Sequence, residues 1–116
     1  MNRSSAVRRT RVTEPFGVAR GEDACPPMVD FRGHNGVAVA LPYTELLSLA
    51  YHPTDGITME FREHHITIRG RNLRPLYDLL VDHRVTYVQE DDFDDAPETA
   101  TFVDAIMVER GQPGIY

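Results

Sequence analysis

Apolar residues along the middle of the chain change period, and thirty residues later they repeat the change. Val29 and Phe31 alternate with Asp30 and Arg32, and Val37, Val39 and Leu41 alternate with Ala38 and Ala40. A period of two marks a half-buried strand. Tyr43, Leu46, Leu47, Ala50 and Tyr51 then recur at i, i+3, i+4, i+7 and i+8, the spacing of one helical face. Further on, Met59-Glu60-Phe61-Arg62-Glu63-His64 echoes Val29-Asp30-Phe31-Arg32-Gly33-His34, Ile66 and Ile68 supply a second β-branched run, and Leu73, Leu76, Tyr77, Leu80 and Val81 restore the helical spacing. The recurrence predicts a duplicated strand-strand-helix unit.

Local chemistry supports the same elements. Pro42 pre-sets the first turn of the first helix, and Pro53-Thr54-Asp55-Gly56 ends it. Asn72 is placed to cap the second helix, and Pro75 falls in its first turn, where no intrahelical N–H bond is lost. Strand parity fixes the hairpins more sharply. A two-residue Asn35-Gly36 loop would put the valines on the Asp30/Arg32 face, whereas a three-residue His34-Asn35-Gly36 loop with Gly36 left-handed pairs Phe31 with Val39 and gathers the apolar side chains. The second hairpin needs an even loop, one residue shorter, so that Met59 and Phe61 share a face with Ile66 and Ile68. Val85-Thr86-Tyr87-Val88 reads as a fifth strand; Thr101 to Val108 reads as a sixth, although Phe102, Val103, Ile106 and Met107 also fit a short helix.

The expected fold is therefore α+β, a tandem ββα-ββα-ββ with an antiparallel-rich sheet and two short helices packed on one face. Residues 1–27 are expected to form a flexible Arg-rich arm, 28–110 one domain with an acidic loop over 89–98, and 111–116 a tail. At 116 residues the chain is too short to divide its apolar surface between two cores. No run approaches the roughly 20 apolar residues of a membrane helix, so no membrane partner is expected.

Charge divides the chain unevenly. Five Arg face three acids over residues 1–24, and eight acids face one Arg over 89–116, within a net charge of −6. The ends attract, and the arm folding back on Glu90 to Asp95 would form a clasp. Nucleic-acid binding would rest on the arm alone, because the acidic remainder repels a polyanion; it ranks third among the readings. Cys25 is the one cysteine, which excludes an intramolecular disulfide and fits a reducing, cytoplasmic setting.

Candidate chemistry is sparse. His34, His64 and His65 fall at hairpin tips and form a possible cluster, but no HExxH or Cys/His spacing supplies a full ligand set, so no metal or cofactor is expected. His52 and His83 follow the ends of the two expected helices, where a protonated imidazole favours the helix dipole. Cys25 lies in an extended Pro-flanked linker with no base in view, and no GxSxG elbow or phosphate loop occurs. Arg69, Arg71, Asn72 and Arg74 surround a glycine at a helix start, the makings of an anion site; pairing of these arginines with Glu45, Asp78 or Asp82 is the competing reading. With no catalytic set, the expectation is a small non-enzymatic interaction module that contacts a protein partner or its own copy as a homodimer through a sheet edge. The competing reading is a small anion- or metal-binding protein or enzyme using His34, His64 and the Arg69–Arg74 segment.

Overall fold

Backbone pairing across two sheets orders this chain, as seen in a computed structural model that describes residues 14–21, 24–91 and 97–111. The elements are β1 (Phe16–Val18), β2 (Met28–Arg32), β3 (Ala38–Pro42), a 3-10 turn (Tyr43–Glu45), β4 (Leu46–His52), β5 (Gly56–Phe61), β6 (His64–Arg71), α1 (Arg74–Val81), β7 (Val85–Gln89) and β8 (Phe102–Arg110). One sheet has the order β1-β7-β2-β3, the other β4-β5-β6-β8. The fold is α+β and rich in antiparallel pairs, with β2 and β7 the parallel exception.

Both hairpins follow the parity of their side chains. Phe31 stands opposite Val39, the Gly33 N–H donates to the Val37 carbonyl at 2.8 Å, and Gly36 closes the three-residue loop at φ +92°. In the second hairpin Met59 stands opposite Ile66 and Ile57 opposite Ile68, which leaves Arg62-Glu63 as the shorter turn. The oily faces of the two sheets then meet: the Phe31 and Phe61 rings pack edge to face with centroids 6.2 Å apart, a favoured aromatic geometry. Val29, Met59, Ile66, Ile68, Leu76, Leu80, Val85 and Val88 complete a single core.

Three expectations need correction. Residues 46–52 form strand β4, not a helix, so the strand-strand-helix unit is complete only in its second occurrence and one α-helix is present among the described residues. A bulge explains the misreading. Leu46 pairs with Phe61 and Ser48 with Glu60, leaving Leu47 without a partner; this extra residue shifts the strand's phase so that the inward Leu46 and Leu49 fall i, i+3 apart, mimicking a helix. Beyond the bulge the period is two, with Leu49 and Tyr51 against the core and Ser48 and Ala50 exposed. Pro53-Thr54-Asp55 is accordingly a hairpin loop ending at Gly56, where φ is +96° and a Cβ would fall on the Ile68 carbonyl oxygen.

The second correction concerns layers, because the strands divide between two sheets and do not share one. The third concerns the expected arm, within which Phe16–Val18 instead pairs with β7. The clasp between the arm and the acidic run, and the tail beyond Gly111, lie outside the described residues.

Helix α1 buries Leu76 and Leu80 and leaves Val81 exposed. Its N-cap is Leu73, with no side-chain cap bond, so Asn72 does not cap it. Its far end is closed by His83 in the left-handed region (φ 58°), with N–H bonds from His83 to the Leu80 carbonyl and from Arg84 to the Leu79 carbonyl, both 3.0 Å. This is the Schellman arrangement with histidine where glycine is usual. The His83 ring stacks on Tyr43 at 4.5 Å. Tyr43 in turn donates its hydroxyl to the Val85 carbonyl at 2.7 Å, and burial pushes that phenol far above its ordinary pKa despite the hydrogen bond. No helix among the described residues is long and apolar enough to cross a membrane.

Candidate functional site

Every open sheet exposes backbone N–H and C=O groups at its edges, and proteins protect these with charge, proline, bulges or short strands. Three of the four edges carry charge, proline or shortness as protection, and the fourth has only a bulge at its start. β1 has three residues, and β3 ends in Pro42. β8, though nine residues long, carries Asp104, Glu109 and Arg110, and its Ile106 N–H is occupied by the Glu90 carboxylate at 2.8 Å. β4 differs. Its seven residues, Leu-Leu-Ser-Leu-Ala-Tyr-His, include no Asp, Glu, Lys or Arg. Among the described residues its backbone pairs only with β5. The bulge at its start turns Leu47 outward, 61% exposed.

Glu90 links the two sheets. It follows β7, its own N–H donates to the Arg32 carbonyl at 2.8 Å, and its side chain reaches both the β2–β3 loop and β8. Oε1 accepts the His34 backbone N–H at 3.1 Å and lies 2.8 Å from His34 Nδ1. An ionised carboxylate only accepts, so in this contact Nδ1 is the donor. Oε2 accepts the Ile106 N–H. Burial of this carboxylate acts to raise its pKa, but the hydrogen bonds from Ile106 and His34 outweigh it and hold Glu90 below the ordinary carboxylate value. The expected acidic loop over 89–98 therefore begins with a carboxylate that is 13% exposed and anchored; residues 92–96 lie outside the described residues. In sequence Glu90 is one more acid in an acidic run, and the signal that singles it out is the hairpin tip it contacts 56 residues away.

The other candidate side chains disperse. His65 Nδ1 meets Glu60 at 3.0 Å on the hairpin of sheet β4-β5-β6-β8, while His34 belongs to Glu90, and His64 opens β6 opposite Arg110. Among the described residues no three His, Cys, Asp or Glu side chains form a group able to hold a metal ion. His52 ends a strand, so no helix dipole lies behind it; its Nδ1 accepts the Thr54 N–H at 3.2 Å and shapes the β4–β5 turn. Cys25 is exposed.

The four residues expected to form an anion site are divided. Arg74 pairs with Asp78 at 2.9 Å, as the competing reading anticipated, and that bond raises its pKa. Asn72, at φ 53°, donates its amide to the Glu98 and Ala100 carbonyls and so fastens the strand-β8 approach. Arg69 and Arg71 remain together, on the wall of a cavity of about 460 Å³.

Compared with known proteins, the chain matches no family model, and no curated protein or solved structure resembles it at a significant level.

Proposed function

We propose that the protein is a non-enzymatic interaction module whose partner is a second copy of itself, joined through strand β4 in a reducing, cytoplasmic setting. The uncharged, exposed edge of β4 carries this reading. An antiparallel β4–β4 pair about a two-fold axis satisfies the open backbone groups of both copies and extends each four-stranded sheet into one of eight. Leu47, displaced outward by the bulge, supplies apolar contact beside the new ladder. A strand edge of seven residues buries less than the roughly 1,200–2,000 Å² of a standard interface, so the dimer is a weak one that forms and dissociates with concentration.

Sedimentation equilibrium over the micromolar range tests this. The expected result is a monomer–dimer equilibrium that Leu47→Lys combined with Ala50→Lys converts to monomer, while Val108→Lys on β8 leaves it intact. A monomer at every concentration, or a dimer indifferent to the β4 changes, overturns it.

A second reading, a small-ligand-binding protein, is favoured by one observation: Arg69 and Arg71 share a cavity wall. In the His34/His64 part of that reading, His34 is engaged by Glu90 while His64 stands opposite Arg110 at the start of β6.

A further inference from the structure

We propose that Asn35-Gly36, at the tip of the β2–β3 hairpin, is a site of spontaneous deamidation, and that the carboxylate so formed loosens the link Glu90 makes between the two sheets. The inference does not depend on the β4 interface.

Deamidation needs an asparagine amide carbon within reach of the next residue's backbone nitrogen, and a next residue that does not shield that nitrogen. Gly36 has no side chain, holds a φ of +92° that few other residues tolerate, and stands in open space, since a Cβ built on it would meet nothing within 4 Å. Asn35 and Gly36 are both exposed, so water reaches the amide. The fold adds polarisation. The Val37 N–H donates to Asn35 Oδ1 at 3.1 Å, and the ring closed by this bond contains both the Asn35 Cγ and the Gly36 nitrogen. That donor stabilises the negative charge that gathers on Oδ1 when Cγ is attacked, as an oxyanion hole does. The Gly36 N–H itself donates to the Gly33 carbonyl at 3.2 Å, at the long end of the hydrogen-bond range, and this bond opens before the nitrogen attacks.

The step is redox-neutral and consumes only water. The Gly36 nitrogen gives up its proton and bonds to Asn35 Cγ, while the Cγ–Nδ2 bond breaks and Nδ2 leaves with that proton as ammonia. Water then opens the cyclic imide at either carbonyl, giving aspartate, or isoaspartate with the main chain rerouted through the side chain. Both products bear on Glu90. A Cβ built on Gly33 would lie 2.8 Å from Asn35 Oδ1 and 3.4 Å from Glu90 Oε1, so the two oxygens border one small space. A second carboxylate there repels the one that holds the His34 and Ile106 N–H groups. Isoaspartate also lengthens the loop backbone, on which the pairing of Phe31 with Val39 depends. Asn72 is the internal control: buried Leu73 follows it, and its amide is held by the Glu98 and Ala100 carbonyls.

Incubation of the full chain at neutral and at mildly alkaline pH tests this, followed by peptide mapping in a mass spectrometer and ion-exchange separation of the more acidic product. Asn35 is expected to convert to a mixture of isoaspartate and aspartate, faster at the higher pH because the Gly36 nitrogen must lose its proton, while Asn72 stays intact. Asn35→Gln should yield no such product. The separated product and the variant Asn35→Asp should each unfold at a lower urea concentration than fresh wild type, and in a Glu90→Gln background the loss caused by Asn35→Asp should shrink. Survival of Asn35, reaction no faster there than at Asn72, a product as stable as fresh protein, or a loss from Asn35→Asp undiminished by Glu90→Gln would overturn the proposal.

Discussion

The two edges of the sheet β4-β5-β6-β8 are built in opposite ways. β8 is longer and is guarded: Asp104, Glu109 and Arg110 stud it, and Glu90, a residue that follows a strand of the other sheet, occupies its Ile106 N–H. β4 has a bulge at its first residues and no Asp, Glu, Lys or Arg beyond it. The difference teaches that edge protection here is also inter-sheet adhesion. The carboxylate that blocks β8 fastens the β2–β3 loop through His34 at the same time, so β8 cannot be opened without loosening the fold. β4 carries no such double duty, and among the described residues its backbone pairs with β5 alone.

The largest effect is expected where β4 is turned back on β5. Gly56→Ala places a side chain at φ +96° and against the Ile68 carbonyl, and should cost about 3 kcal/mol or more in urea denaturation. An unchanged midpoint would show that this hairpin does not hold β4. Glu90→Ala removes the guard of β8, leaving the Ile106 and His34 N–H groups without their acceptor. A loss of about 2–3 kcal/mol is expected, together with light scattering that rises with concentration as a second edge opens. Scattering no different from wild type would mean that Glu90 is an anchor and not a guard. Tyr43→Phe deletes the bond to the Val85 carbonyl at the corner leading into β4 and should cost about 1–1.5 kcal/mol, read as a lowered thermal midpoint.

The smallest effect separates charge from shape at Glu90. Its folded-state pKa lies below its ordinary value, so the folded chain binds this proton less readily than the unfolded one. Its contribution is therefore fully present above the ordinary carboxylate pKa and is lost as pH falls through the lowered folded value. Glu90→Gln keeps an acceptor oxygen but not the charge. The stability difference between wild type and this variant should be flat near neutrality and shrink on acidification; a difference independent of pH would remove the ionised carboxylate from the account.

Much of this arrangement was legible in the residues. Phe31 opposite Val39, the left-handed Gly36, the shorter second turn and the helix over Leu76 and Leu80 follow from parity, loop length and periodicity, which are local quantities. β4 was not legible, because one bulged residue, Leu47, converts an alternating pattern into a helical one. β1 escaped because Phe16-Gly17-Val18 is too short to show a period, and its antiparallel partner β7 lies some seventy residues away in sequence. The site residues divided for the same reason. Arg69 and Arg71 neighbour each other along one strand, whereas Glu90 acquires its role from His34 and Ile106, partners that only the fold supplies.

Hydrogen–deuterium exchange at low and high protein concentration tests the claim about the two edges most directly. The account predicts that amides of residues 47–52 gain protection as concentration rises, while those of residues 104–110 exchange at the same rate in both samples. Added protection along β8, or none along β4 at any concentration, would contradict it.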